Sequence, residues 1–328
     1  MRKKLFASTF TSIFCLALAL ALAAPMLATA ADTRPIEWVI GYAAGGGSDV
    51  VARTLAEEMG KTLNQSVIVN NKPGAGTNIA ADYAAKAKDY GHIMFTADFA
   101  TLAANPWLFS KLSYDAEKDF VPVGLLVRFP LILVVGPNVP AKNFKEFQAW
   151  AKAAEGGANY ASPGAGSPHH LATELLRERA GLKLTHVPYR GAAPAVQDVM
   201  GGQVPFMFVD TASGYQQIAS GKLKAIGVAS AQRLPTMKDV PTLSEQGLTG
   251  FETYAWQGLV VPTGTPPEVV SKLSKALQSA LEATPIKARL QVLGVEPLPG
   301  TPAQMASYAR AERDKWGRLI RTTGIKLD

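Results

Sequence analysis

Glycine gathers in three places where the residues around it could do chemistry. The first run is Gly41-Tyr42-Ala43-Ala44-Gly45-Gly46-Gly47-Ser48-Asp49. The second is Asn70-Asn71-Lys72-Pro73-Gly74-Ala75-Gly76-Thr77-Asn78, and the third is Ala161-Ser162-Pro163-Gly164-Ala165-Gly166-Ser167-Pro168-His169-His170. Each follows an apolar, β-rich stretch and precedes a helical pattern. The first turn of a helix leaves amide N–H groups unpaired, and the peptide dipoles favour negative charge there. Glycine lets a guest approach that backbone closely. One such loop is equally well explained as a tight turn; three in equivalent positions point to an anion site. In parallel α/β sheets such turns lie at the carboxyl ends of the strands, where ligands bind.

The candidate contacts are Tyr42, Ala43, Ala44, Gly45, Gly46, Ser48 and Asp49 in the first loop. The second offers Asn71, Ala75, Gly76, Thr77 and Asn78, and the third Ser162, Gly164, Gly166, Ser167 and His170. Ser48 and Ser167 either cap their helices or donate to the guest. Arg190 suits a clamp on a second carboxylate or a plain surface role. Asp210, at a strand end, either meets an ammonium group or caps the next helix. Asp98, after Ala97, carries the same ambiguity.

Other chemistries fit poorly. The first loop lacks G-x-G-x-x-G spacing, and the second strand ends in Asn70-Asn71 without the acidic residue that holds a ribose. No Gly-Lys-Ser/Thr follows for a phosphate loop, and there is neither a G-x-S-x-G elbow nor S-x-x-K. His170 and Glu174 share a helical face, but His169 cannot join them, and no metal-spaced set appears. No catalytic residue, metal or cofactor is expected.

The elements that must position these loops alternate strand and helix. Strands are expected at 36–42, 66–70, 92–97, 122–127, 131–135, 184–188, 205–209 and 223–229, and helices at 50–63, 79–87, 144–154, 169–180 and 194–200. That alternation argues for mainly parallel sheets flanked by helices. The length implies two lobes. Two apolar runs, 121–135 (broken at Phe129-Pro130) and 254–261, read as strands crossing between them. The expected division is residues 31–128 plus 255–328 for lobe 1 and 129–254 for lobe 2. Near the C-terminus, Thr265-Pro266-Pro267-Glu268 and Thr301-Pro302-Ala303-Gln304 both read as capping boxes.

The N-terminus reads as an export signal spanning residues 1–30: basic Arg2, Lys3 and Lys4, an apolar run, then Ala28-Thr29-Ala30 before a cut at Ala31. Cys15, the only cysteine, lies within it. The whole chain carries +7; the signal holds three of those charges and no negative one, leaving +4. That mild excess, with no basic block, does not indicate nucleic acid.

Together these loops are similar to those of the Bug family, the substrate-binding proteins of tripartite tricarboxylate transporters. The similarity runs from about Arg34 to Asp328. Its landmarks include Arg34-Pro35-Ile36, the first two glycine loops, Val51-Ala52-Arg53, Tyr114-Asp115, Gly164-Ala165-Gly166-Ser167 with His170-Leu171-Ala172, and His186-Val187-Pro188-Tyr189-Arg190-Gly191. Pro194-Ala195, Gly202-Gln203-Val204, Val240-Pro241-Thr242-Leu243 and Thr263-Gly264-Thr265-Pro266 follow in order. The resemblance implies a periplasmic Venus-flytrap fold. Its first two loops grip a carboxylate through backbone amides and ordered water, while the third loop and the Tyr189-Arg190-Gly191 region close from lobe 2. It also implies delivery to a small and a large membrane permease subunit. The chain departs from the family in carrying Thr77, Ala192 and Pro205 where glycine, glycine and aspartate are usual, and in Asp89-Tyr90-Gly91-His92.

The expectation is therefore a monomeric periplasmic binding protein for a small organic carboxylate: a di- or tricarboxylate, an acidic amino acid or an aromatic acid. The alternatives are a sensing component of a two-component system and an exported α/β enzyme acting on a similar acid. Intact-mass analysis of the exported chain should return a polypeptide starting at Ala31; a mass that retains Cys15 contradicts the signal reading.

Overall fold

Strand β1 (Ile36–Ile40) is buried almost throughout because helices cover both of its faces. In the computed structural model, which describes residues 34–328, β1 pairs in parallel with β2 (Val67–Asn71) and β3 (Ile93–Asp98). The expected export signal and Cys15 lie outside the described residues. Side chains alternate along β1. Trp38 and Ile40 pack on Val51, Leu55 and Met59 of α1 (Gly47–Leu63), and Val39 faces Ala80, Ala81 and Ala84 of α2 (Asn78–Lys86). After β3 a π-helical turn, Ala100–Ala104, leads into the short α3 (Asn105–Leu108).

β4 (Phe120–Val135) organises the two lobes. The expected break at Phe129-Pro130 does not occur: the strand continues and changes partners there. Phe120–Pro130 pair antiparallel with β9 (Tyr254–Pro262), and Leu131–Val135 pair with β7 (Phe206–Asp210) and β8 (Lys224–Val228). Proline has no N–H to give to a ladder, so a change of partner suits it. A second crossing comes just before β9, where Thr253 donates its N–H to the Ala229 carbonyl.

The second sheet runs β6 (Leu184–Pro188), β5 (Ala158–Ser162), β7, β4, β8. Its helices include α4 (Phe144–Ala153), α5 (Pro168–Ala180), α6 (Ala192–Met200) and α7 (Thr211–Ala219). The fold is thus two-lobed α/β, with parallel pairing confined to the outer strands. Every pairing of β4 and β9 is antiparallel, because strands that enter both lobes cannot follow a strand–helix–strand winding. The chain closes on the first sheet with α8 (Pro267–Glu282), α9 (Thr284–Val292), β10 (Glu296–Gly300) and α10 (Pro302–Thr323).

The two proline-rich helix starts behave differently. Thr301 forms the expected box, accepting from Gln304 N–H while the Gln304 side chain accepts from Thr301 N–H. The Thr265 box does not form: α8 starts one residue later with Pro266 as N-cap, and Thr265 Oγ1 donates instead to the Pro262 carbonyl. Strand β5 and helices α7 and α9 had no sequence signal of their own.

Gly136 ends β4 where a Cβ would lie 2.3 Å from the Val199 carbonyl oxygen of α6. A backbone atom cannot step aside alone. Gly136→Ala should cost about 1–3 kcal/mol in urea unfolding with an unchanged m value; wild-type stability would show that α6 can yield.

Candidate functional site

The first loop presents a helix start without a side-chain cap. Gly46 is the N-cap of α1, and the first intrahelical bond runs from Val50 N–H to the Gly46 carbonyl. The N–H groups of Gly47, Ser48 and Asp49 come before that bond, and Ala43–Gly46 are exposed. Gly45 reaches φ 82, which favours glycine.

Asp49 and Asn71 shape this loop from behind. Asp49 is 3 % exposed and accepts from Gly45 N–H (2.9 Å), Arg53 Nε (3.0 Å) and Asn71 Nδ2 (2.9 Å). Asn71 Nδ2 also donates to the Tyr42 carbonyl, and its Oδ1 accepts from Arg53 Nη2. Burial raises the Asp49 pKa, but the Arg53, Gly45 and Asn71 hydrogen bonds outweigh it and hold the carboxyl below its usual range.

The second loop packs against the first. Gly74, Ala75, Gly76 and Thr77 all have positive φ. Thr77 is a β-branched residue in a conformation that favours glycine, the residue usual in the family here. It is buried, bonded to Thr101 Oγ1, and its Cβ would lie 2.8 Å from a Cβ on Gly41. Asn105 Nδ2 donates to the Gly76 carbonyl and to Asn78 Oδ1, at 2.7 Å each. Ala75 and Gly76 remain exposed.

Asp98 and Ala97 lie below the loops. Asp98 Oδ1 accepts from Thr101 N–H and Oγ1, and Oδ2 accepts from the Tyr42 hydroxyl. Burial raises the Asp98 pKa despite those bonds, and burial with the Asp98 charge raises that of Tyr42. Ala97 is fully buried in the core facing α2.

In the third loop Ser167 caps α5, accepting from His170 N–H. His170 Nδ1 accepts from Gly166 N–H, so the ring carries its proton on Nε2. Its ring stacks on His186 at 3.9 Å, and His186 Nε2 meets Ser162 Oγ at 2.6 Å. Ser162 Oγ in turn accepts from Gly164 N–H. Gly166 is buried under Leu108 and Leu327, each 2.8 Å from where a Cβ would be. Arg190 is exposed next to Gly191, the N-cap of α6, which also lacks a side-chain cap.

Asp210 fills a helix start with its own charge. It caps α7 through Ser213 N–H (2.8 Å), accepts from Ser213 Oγ and meets His169 Nε2 at 3.2 Å. Burial raises its pKa, but His169 and Ser213 bring it below the usual value.

The loops meet in one region. A Cβ on Gly47 would lie 3.3 Å from Phe129 of β4 and 3.9 Å from Ala212 of α7. One segment, 105–109, touches Gly76 of the second loop and Gly166 of the third. Thr211 Oγ1 donates to the Gly294 carbonyl, joining the lobes again. Arg53, Asn105, His186 and Gln257 complete the arrangement. Arg53 and His186 stood among the sequence landmarks; Asn105 and Gln257 gave no signal. Among the described residues no group of His, Cys, Asp or Glu gathers to hold a metal. A cavity of about 650 Å³ lies between α5 and α10, away from the loops. Among its cations, Arg128 is paired with Glu296, Lys315 with the Glu252 carbonyl and Arg179 with the Thr249 carbonyl.

Residues 51–325 match the profile of a family described as "Tripartite tricarboxylate transporter family receptor". Protein BugT of Bordetella pertussis is 32 % identical over 307 residues, covering 93 % of this chain and 94 % of its own. Among solved structures, R. palustris Rpa4515 with adipate is 30 % identical with a TM-score of 0.83, covering 90 % of this chain and 99 % of that one. MatC (Rpa3494) from Rhodopseudomonas palustris with bound malate is 35 % identical with a TM-score of 0.78, covering 88 % and 99 %.

The stacked histidines set an acid limit on stability. Burial pushes His170 down to about 3, with the neighbouring His186 adding to the effect, and burial pushes His186 down to about 4. An unfolded histidine takes its proton near pH 6.5, so below that pH the unfolded chain binds more protons. Stability is full above about pH 6.5 and is lost progressively down to about pH 3, at roughly 1.4 kcal/mol per unit of depression. Tm should fall across that window, and less so in His170→Asn; a Tm flat from about pH 7 to about pH 4.5 would contradict this.

Proposed function

The chain belongs to the tripartite tricarboxylate transporter receptor family, and we propose that it is a periplasmic solute-binding protein for a small carboxylate, passed without catalysis to the small and large permease subunits. The single observation that carries this reading is the uncapped start of α1, where a Cβ on Gly47 would lie 3.9 Å from Ala212 of α7. The relatives bound to adipate and malate support a carboxylate guest.

Backbone amides suffice for such a task. Each hydrogen bond to a charged group is worth about 1.5–3 kcal/mol net. A few of these, less the freedom lost on binding, reach roughly micromolar affinity, which allows release. In this reading lobe 1 comprises 31–128 and 255–328 and lobe 2 comprises 129–254. They rotate about β4 and the crossing before β9, and closure excludes water and strengthens the bonds. Ala43–Gly46, Ala75 and Gly76 line the guest; Asp49, Asn71, Thr77 and Asp98 hold the loops.

A thermal-shift screen of di- and tricarboxylates, acidic amino acids and aromatic acids should raise Tm for at least one class, with no turnover. Gly46 has room for a Cβ, its nearest neighbour being the Ala43 carbonyl at 3.5 Å. Gly46→Leu should therefore keep the wild-type Tm while weakening binding more than tenfold. A screen with no shift, or unchanged affinity in Gly46→Leu, would overturn the proposal.

A further inference from the structure

Gln257 lies on β9 opposite Asp98 of β3 and Val127 of β4. Directly opposed residues of antiparallel strands project to one face. Here α1 covers that face, since Val127 shares its core with Val51 and Leu55. Gln257 is only 5 % exposed and donates from Nε2 to Ser48 Oγ, at the uncapped start of α1.

That bond has two consequences. It occupies a lone pair of Ser48, whose own O–H proton has no acceptor among the described residues and is left for a guest at the helix start. It also leaves Gln257 Oε1 buried with no donor. Asp98, opposite Gln257 across the ladder, already has both oxygens engaged. A buried acceptor without a partner is costly, and a guest that brings a donor removes the cost. An ionised carboxylate brings only acceptors. A hydroxyl or ammonium group on the adjacent carbon brings a donor to the same place. Nε2 and Oε1 share one carbon, so neighbouring atoms of a small acid can address Ser48 and Oε1 together.

We propose that Gln257 is a specificity-determining residue of this site. Its Nε2 fixes Ser48 as a donor to the guest carboxylate, and its Oε1 accepts from a 2-hydroxyl or 2-ammonium group. The site then prefers 2-substituted acids to their unsubstituted parents. This rests on the carboxylate reading above.

The test is calorimetric titration with matched sets differing at one carbon: succinate, malate and aspartate; propionate, lactate and alanine; phenylacetate, mandelate and phenylglycine. The substituted acid should bind at least tenfold more tightly in the set the protein accepts, and the hydroxy and amino members show which donor it takes. Gln257→Leu should erase that preference. Gln257→Glu, nearly isosteric, should weaken every acid above neutral pH, because its carboxylate draws the Ser48 proton inward. Its affinity should recover as the pH is lowered and the new carboxyl regains a donor, a change that a merely structural role would not produce. If Gln257→Leu does not fold, the pH profile of Gln257→Glu decides. Equal binding of substituted and unsubstituted acids, a preference that survives Gln257→Leu, or a pH-independent Gln257→Glu overturns the inference while carboxylate capture stands. Failure of every acid to bind wild type overturns the carboxylate reading itself.

Discussion

The proposed site depends on a helix start left open amid exposed glycine-rich backbone. The starts of α2, α6, α8 and α9 are also left without a side-chain cap. Helices α4, α5, α7 and α10 satisfy their first N–H groups with Asn143, Ser167, Asp210 and Thr301, whereas α1 begins at Gly46 with no side chain in that place. Unpaired N–H groups at a helix terminus are stabilised by an anion. A negative side chain, Asp49, already sits in this first turn, and its charge would oppose a guest. Arg53 neutralises it, and Asn71 turns its oxygens toward the second strand. The backbone donors are therefore left for a ligand without a competing free carboxylate.

Beneath the two loops lies a tier of polar groups that satisfy one another. Tyr42, Asp98, Thr101 and Thr77 form a continuous hydrogen-bonded chain, so the floor is rigid and offers few free atoms. The other lobe uses a different device: a stack of Tyr160, His186 and His170, kept uncharged by burial, whose nitrogens hold Ser162 and Gly166. Both devices hold glycine-rich backbone in place.

Two lobes joined by crossing strands need places where glycine backbone lies against side chains of another segment. Gly47 near Ala212 and Gly166 under Leu108 and Leu327 are such places, and at Gly166 a Cβ would clash with both leucines. The connection through β4 fits this need, because one continuous strand belongs to both sheets and changes partners at Pro130.

The amino-acid sequence by itself determined where glycine permits a close approach, which apolar periods become strands and helices, and which segments cross between lobes. These are local properties: φ preference, period and the missing N–H of proline act within a few residues. Tertiary structure alone decided which polar residues bind one another. Asp49, Asn71, Thr77 and Asp98 look like ligand contacts in sequence, and each is bound to a partner 3 to 56 positions away. Asn105 and Gln257 looked like nothing, because a lone amide in an apolar run acquires meaning only from what folding sets above it. Likewise β5 is a strand because β6 and β7 flank it, and the Thr265 box failed because a nearer carbonyl took the hydroxyl. Hydrogen bonds are short-ranged and directional, so their partners are chosen by the packing of distant segments.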